Sequence, residues 1–194
     1  MPAKILVGCE FSGRVRDAFL KRGFDAVSCD LLPTESQGPH RQENVLDLLT
    51  ESWDMAIFHP PCTRLAISGA RHFEKYRAEQ NRALAFVRRL LAAPIPRIAL
   101  ENPVSVISTR IQKPSQIIQP YDFGHPESKR TCLWLKNLPP LKPTTHGKWN
   151  RYALPCNIHL MSPSENRWME RSRTYPGIAA AMAEQWGPLL AGKK

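Results

Sequence analysis

The chain has 194 residues, of which 42% are hydrophobic and 8% aromatic, a composition that predicts one globular domain with a sizeable core. Its apolar runs are far shorter than the ~20 residues of a membrane-spanning helix, and the opening MPAKILVGCEFSG is unlike a secretory signal. The formal net charge of +10 favours polyanionic partners, nucleic acid above all, over a charge that serves solubility alone.

Short apolar runs along the chain have the composition of buried β-strands. The predicted strands are KILVGC (4–9), FDAVSCD (24–30), WDMAIFH (53–59), RIALENP (97–103) and KRTCLWLKN (129–137). The apolar segment NVLDLL (44–49) is too short to assign.

Amphipathic runs between these strands predict helices. They are GRVRDAFLKRG (13–23), EKYRAEQNRALAFVRRLLAA (74–93) and YPGIAAAMAEQWG (175–187). Gly23 ends the first, Pro94 and Pro96 follow the second, and Pro176 and Gly187 bracket the third. Because strands alternate with helices, we expect an α/β fold with a mostly parallel, doubly wound sheet.

The stretch 137–168 differs in composition from the rest of the chain. It contains five prolines, Trp149, Tyr152 and several cations, Lys148 and Arg151 among them. We expect an irregular, basic insertion within a single domain over residues 1–194, since long loops in compact domains are often functional. The two aromatic residues would stack on bases or form a small satellite core.

Polar residues stand at or just past the ends of four predicted strands: Glu10, Asp30, Cys62 and Glu101. In parallel α/β sheets, ligands bind at the carboxyl ends of the strands, so this edge is the predicted site. The other four cysteines (Cys9, Cys29, Cys132 and Cys156) are expected to be structural. An odd cysteine count without a CxxC pair predicts neither a disulfide scaffold nor a zinc site, and we expect no metal.

The segment HPPC (59–62) predicts a rigidly presented thiol. Pro60 and Pro61 have fixed φ angles and no N–H, and a cysteine attacks as its thiolate. Glu101 and Asn102 end the next predicted strand, where a carboxyl group can protonate or hydrogen-bond a ring nitrogen while the thiolate attacks. His59 is expected to be packed rather than to act as a base.

These segments together resemble the DNA (cytosine-5) methyltransferases, in the short form found in phage and prophage genomes. Pro60-Pro61-Cys62 with Ser68-Gly69 resembles the family's catalytic loop, and Glu101-Asn102 its Glu-Asn-Val strand end. FGHPESKRTCLWL (123–135) resembles its arginine-containing segment, and CEFSG (9–13) its cofactor loop. The resemblance implies the Rossmann-like fold of class I S-adenosylmethionine-dependent methyltransferases, and an enzyme in the cytoplasm of a bacterial host.

The resemblance also implies roles for individual residues. Catalysis would fall to Cys62, Glu101 and Asn102. The cofactor, S-adenosylmethionine, would be bound by Cys9, Glu10, Phe11, Ser12, Gly13, Asp30, Leu31, Asn44 and Pro60. The DNA substrate would be bound by Pro61, Ser68, Lys129 and Arg130.

The implied reaction is methylation of C5 of cytosine. Cys62 would add to C6, Glu101 would hold the N3 proton, and C5 would then accept the methyl group. A base, water among the candidates, would remove the C5 proton before the thiolate leaves. In duplex DNA the cytosine must first be flipped out of the stack.

Several alternatives stay open. The family's large target-recognition region is reduced here to residues 137–168, so the substrate is duplex DNA, single-stranded DNA or a free nucleotide. Methylation of an exocyclic amine is disfavoured by His59 and Cys62 in HPPC, and a non-catalytic nucleic-acid-binding relic by the retention of Cys62 with Glu101. We expect no membrane partner, and a monomer is the simplest assembly.

Overall fold

The computed structural model describes residues 2–145, 149–150, 153–156, 162 and 164–190. Its strands are β1 (Lys4–Gly8), β2 (Asp25–Asp30), β3 (His40–Gln42), β4 (Met55–Phe58), β5 (Ile98–Pro103), β6 (Gln116–Ile118) and β7 (Thr131–Lys136). Its α-helices are α1 (Arg14–Leu20), α2 (Arg77–Leu91), α3 (Ile107–Arg110), α4 (Arg167–Ser172) and α5 (Pro176–Trp186). Short 3₁₀ helices cover Val45–Leu48, Ile67–His72, Pro120–Phe123 and Gly187–Leu190.

The seven strands form one mixed sheet in the order β3-β2-β1-β4-β5-β7-β6. The five strands from β3 to β5 are parallel, whereas β7 is antiparallel to both β5 and β6. The strand order reverses at β1, because β2 lies on one side of it and β4 on the other. The predicted mostly parallel α/β sheet is therefore confirmed, and its switch point lies between the ends of β1 and β4.

Apolar side chains cover both faces of the sheet. On one face, Val7 and Ile57 belong to a core cluster with residues of α1 and α5. On the other face, Leu6 and Phe58 pack in a cluster with residues of α2. Neighbouring residues of a strand point to opposite faces, so strands buried on both faces read as continuous apolar runs. This explains why KILVG and MAIF lack polar alternation.

The five predicted strands and three predicted helices are confirmed, with small shifts at their ends. Pro176 is the first residue of α5, and Gly187 follows its last residue. The short elements β3, β6, α3 and α4 were not predicted, because three to six residues carry too little periodicity to be recognised. No helix in the described part of the chain is long and apolar enough to cross a bilayer.

The beginning of the predicted insertion packs on the main core. Leu138 and Leu141 are buried with Trp186, whose indole N–H donates a 2.9 Å hydrogen bond to the Pro139 carbonyl. At the other end, α4 begins at Arg167, inside the predicted range. The predicted cationic and aromatic positions Lys148, Arg151 and Tyr152 lie outside the described residues.

Candidate active site

The candidate site lies at one edge of the sheet, where the parallel strands β1, β2, β4 and β5 all have their carboxyl ends. The antiparallel strand β7 contributes its amino end to the same edge, since Thr131 pairs with Pro103. Lys129, two residues before β7, is consequently close enough to act electrostatically on Glu101. The sheet topology thus brings together residues from five separate parts of the chain.

A cleft of about 330 Å³ opens at the ends of β1, β2 and β3. Its polar lining includes Asp30, Glu43 and Asn44, and its apolar walls include Leu31 and Phe86. The volume is at the lower end of the range for small-molecule sites, and such sites combine apolar walls with a few polar groups. Cys9, Asp30, Leu31 and Asn44, assigned to the cofactor from the sequence, all line this cleft, and so does Pro61.

Two of the polar side chains in the cleft are oriented by their own backbone. Asp30 accepts a 3.0 Å hydrogen bond from the Leu32 N–H, and Asn44 accepts one of 3.1 Å from the Leu46 N–H. Each bond spans two residues, which is a local turn that Asp and Asn favour. Each of these hydrogen bonds fixes one oxygen of the side chain, and the second polar atom of the same group is available to a ligand in the cleft.

The loop after β1 is conformationally specialised. Cys9 has a φ of 59° and Gly13 a φ of 71°, in the left-handed region that non-glycine residues rarely adopt. A Cβ on Gly13 would lie 2.1 Å from the Ser36 hydroxyl and 2.4 Å from the buried Arg16 guanidinium. Burial raises the pKa of the Cys9 thiol, and the Asp30 charge adds to this, so both effects disfavour its thiolate form.

The side chains of Glu10 and Ser12 form hydrogen bonds mainly within the loop after β1 and the first turn of α1. The Glu10 carboxylate accepts hydrogen bonds from the backbone N–H groups of Val15 (2.6 Å) and Arg16 (3.3 Å), which caps α1. The Ser12 hydroxyl donates to Glu10 at 3.3 Å. Burial raises the pKa of Glu10, whereas His59 and these N–H bonds lower it. Cofactor contacts from these side chains remain a prediction.

A second, much smaller cavity of about 30 Å³ lies between the ends of β1 and β4. Glu10, Phe11, Ser12 and His59 line it together with Ser172, the last residue of α4, and Thr174, which follows that helix. Cys9 borders both cavities. The smaller cavity therefore connects the predicted cofactor loop with the residue before the double proline.

Cys62 follows the double proline and is solvent-exposed, whereas Pro60 is buried. The Asn102 amide donates a 2.9 Å hydrogen bond to the Pro60 carbonyl, which ties the end of β5 to the loop that carries the cysteine. Next to Asn102, the Glu101 carboxylate lies 3.4 Å from His59 Nδ1. The Glu101 charge acts on the Cys62 thiol, and a catalytic role for the two groups in one site stays a prediction.

The surroundings shift the pKa values of the Cys62 thiol and the Glu101 carboxyl in opposite directions. Cys62 is exposed as a residue, but neighbouring protein atoms partly desolvate its thiol, and this, followed by the Glu101 charge, raises the pKa of that thiol. Lys129 and Arg171 lower it. Burial alone would raise the pKa of Glu101, but the hydrogen bond and charge of His59, together with Lys129, bring it below its ordinary value. Glu101 is thus the ionised partner near neutral pH.

The predicted substrate residues have different surroundings. Lys129 Nζ donates a 2.9 Å hydrogen bond to the Arg171 carbonyl and lies 5.6 Å from the centre of the Tyr175 ring. Arg130 is exposed, and Ser68 is exposed in the 3₁₀ helix that follows Cys62. Lys129 therefore holds the end of α4 near the site, while Arg130 and Ser68 face solvent.

Sequence reasoning missed three contributors to the site. Arg171 lies outside every motif, and Phe86 belongs to a helix whose orientation only packing decides. The prediction that His59 is packed is correct, but the sequence did not predict its contact with Glu101. The position of His59 immediately before the double proline was the one feature that could have indicated a place in the site.

No family model and no curated protein matches the chain. Among solved structures, it is similar to that of a provisionally named DNA modification methyltransferase encoded within a prophage of E. coli. The two share 14% sequence identity with a TM-score of 0.44, and the match covers 69% of this chain and 46% of the other. The chain thus spans less than half the length of that protein.

Proposed function

We propose that the chain is an S-adenosylmethionine-dependent DNA methyltransferase that methylates C5 of cytosine through a covalent bond between Cys62 and C6. One observation carries the proposal: an exposed cysteine follows a double proline that Asn102 holds, beside a largely buried, ionised Glu101. A thiol and a carboxyl at neighbouring strand ends are the two groups that addition to a pyrimidine ring requires.

The larger cleft fits the proposed cofactor. Its apolar walls, Leu31 and Phe86 among them, suit an adenine ring, while Asp30 stands where an acid accepts hydrogen bonds from ribose hydroxyls. Asn44, which also lines the cleft, offers its amide oxygen to a ring amino group. When bound, S-adenosylmethionine supplies the methyl group that C5 accepts.

The residues of this chain would do the remaining work. Cys62 would give up its proton to the Glu101 carboxylate and form the S–C6 bond, while Glu101 passes that proton to N3 and holds it there, so that electron density moves to C5. After C5 is methylated, a water would take the C5 proton, the C5–C6 double bond would form again, the S–C6 bond would break to regenerate the thiolate, and N3 would return its proton to Glu101. Most of the rate enhancement would come from positioning and electrostatics.

The charges around Cys62 fit this sequence of events. Glu101 opposes formation of the thiolate, whereas Lys129 and Arg171 favour it. A bound cytosine that shares a proton with Glu101 would weaken the negative charge of that carboxylate. The Cys62 thiol would therefore ionise more readily when substrate is present. The net charge of +10 suits a phosphate backbone as substrate.

The proposal is tested by incubating the protein with methyl-labelled S-adenosylmethionine and duplex DNA, single-stranded DNA or dCMP, then identifying the labelled base. We expect 5-methylcytosine, and none with Cys62→Ala. DNA containing 5-fluorocytosine should form a stable adduct that Cys62→Ser does not form. Label on an exocyclic amine would exclude the mechanism, and salt-sensitive binding without transfer would indicate a non-catalytic protein.

A further inference from the structure

His59 occupies a buried position between the two loops of the site. It is the first residue after β4, and its N–H donates a 2.9 Å hydrogen bond to the Gly8 carbonyl at the end of β1. Its side chain is only 6% exposed. The backbone of adjacent parallel strands therefore fixes where the imidazole lies.

The two ring nitrogens of His59 have different environments. Nδ1 lies 3.4 Å from Glu101 Oε2, whereas buried Nε2 has no hydrogen-bond partner among the residues that the structure describes. Glu101 is the acceptor, because a carboxylate has no hydrogen to donate. A ring nitrogen that faces a carboxylate carries the proton, so the contact assigns hydrogen to Nδ1.

We propose that His59 is a positioning residue that orients the Glu101 carboxylate toward the pyrimidine ring by donating its Nδ1–H to Oε2. The proposal rests on the proposed function and adds a residue to it. A carboxyl group that can rotate would meet the ring in many orientations, and a displacement of 1 Å can cost about 10²-fold in rate. The present contact is long, as catalytic hydrogen bonds often are before substrate binds.

Nearby charged groups also face this pair. Glu10 from the β1 loop interacts with His59, and Lys129 before β7 interacts with Glu101. The Glu101 charge contributes to raising the pKa of both the Cys62 and the Cys132 thiols. Because Glu10 is already bonded to Val15 and Arg16, Glu101 is the carboxylate that His59 is free to orient.

Two amide variants separate positioning from other roles. In His59→Asn the amide NH₂ takes the place of Nδ1–H, whereas in His59→Gln it reaches the place of Nε2. We expect His59→Asn to keep single-turnover methylation within about tenfold of wild type and His59→Gln and His59→Ala to lose about 10²-fold, with substrate affinity unchanged. Equal losses in the Asn and Gln variants would overturn the proposal.

A second measurement does not depend on activity. In ¹⁵N-histidine spectra of the wild-type chain, the His59 resonance, assigned by its absence from His59→Asn, should show a protonated Nδ1. The titration midpoint of ¹³C-labelled Glu101, assigned with Glu101→Gln, should rise in His59→Gln and stay near wild type in His59→Asn. An unprotonated His59 Nδ1, or the same Glu101 titration midpoint in His59→Gln and His59→Asn, would overturn the proposal.

These readouts keep the two hypotheses distinct. If the wild-type chain transfers no methyl group to cytosine C5, the proposed function fails, and the Glu101 titration still decides whether His59 orients that carboxylate. If 5-methylcytosine forms but the Asn variant is as slow as the Gln variant, the function stands and the positioning role fails. Rescue by Asn would also exclude His59 as a general base, because an amide cannot take a proton.

Discussion

Asn102 donates a 2.9 Å hydrogen bond to the carbonyl oxygen of Pro60, and both residues are buried. The bond joins the ends of β4 and β5 two residues before Cys62. A proline has no N–H, so its carbonyl is the polar backbone group through which the loop can be held at this point. We therefore infer that Asn102 positions the loop that carries the thiol, and a direct contact with the reacting atoms stays a prediction.

Asn102→Ala should lower the free energy of unfolding and slow the reaction of the Cys62 thiol with DNA. The buried Pro60 carbonyl would lose its donor, which costs about 1–3 kcal/mol of unfolding free energy. Urea unfolding measures the stability, and the rate of adduct formation with 5-fluorocytosine DNA measures the positioning. Asn81→Ala, at an exposed position of α2, is the matched control and should change stability by less than about 0.5 kcal/mol. Equal effects of the two substitutions would contradict the assigned role.

The reactivity of Cys62 in the free protein should depend on two neighbouring charges. Alkylation by iodoacetamide follows the thiolate fraction, and because the thiol pKa is raised, its rate should still be increasing above the ordinary range for cysteine. Glu101→Gln removes a negative charge and should move the inflection to lower pH, whereas Lys129→Met should move it higher. Mass spectrometry of the Cys62 peptide gives the rates. Shifts with the opposite signs would contradict the assigned electrostatics.

Asp30→Asn should weaken cofactor binding without disturbing the loop. The amide oxygen can still accept the hydrogen bond from the Leu32 N–H, but a charged acceptor for ribose hydroxyls is lost. Hydrogen bonds to charged groups contribute about 1.5–3 kcal/mol, so we expect roughly tenfold to 100-fold weaker binding of S-adenosylmethionine by calorimetry. Asp47→Asn, exposed on the following 3₁₀ helix, should bind as wild type does.

Blocking the larger cleft should abolish the same binding. Ala83 on α2 lines the cleft, so Ala83→Phe would fill part of it, whereas Ala85 on the same helix is exposed. We expect Ala83→Phe to lose measurable S-adenosylmethionine binding and Ala85→Phe to keep it, with both variants folded by circular dichroism. Retained affinity in Ala83→Phe would place the cofactor elsewhere.

Gly13→Ala should be far more destabilising than Gly23→Ala. Both glycines have a positive φ, but a Cβ on Gly13 would collide with Ser36 and Arg16, whereas one on Gly23 meets nothing within 4 Å. Backbone strain alone costs about 1–3 kcal/mol, and the collision adds to it at Gly13. Urea unfolding of both variants gives the difference. A similar loss in the two variants would mean that the loop after β1 adapts freely.

The extent of successful sequence prediction differs between elements for physical reasons. Strands such as β1 and β4 were recognised because burial on both faces demands uninterrupted apolar residues. The three-residue strand β3 and the short helix α4 form through neighbours that are distant in the sequence. Arg173, just past α4, pairs with Glu35, 138 residues away, and no local pattern records such a pair.

The amino-acid sequence by itself determined the α/β alternation, the ends of α5 and the pairing of a rigid Pro-Pro-Cys loop with Glu101-Asn102, because these depend on local periodicity, backbone restriction and residue chemistry. Only the tertiary structure decided that β7 runs antiparallel and brings Lys129 near Glu101, and that His59 faces that carboxylate. It also turned Glu10 toward the backbone of α1. Those relationships arise from strand order and packing, in which residues separated by tens of positions become neighbours.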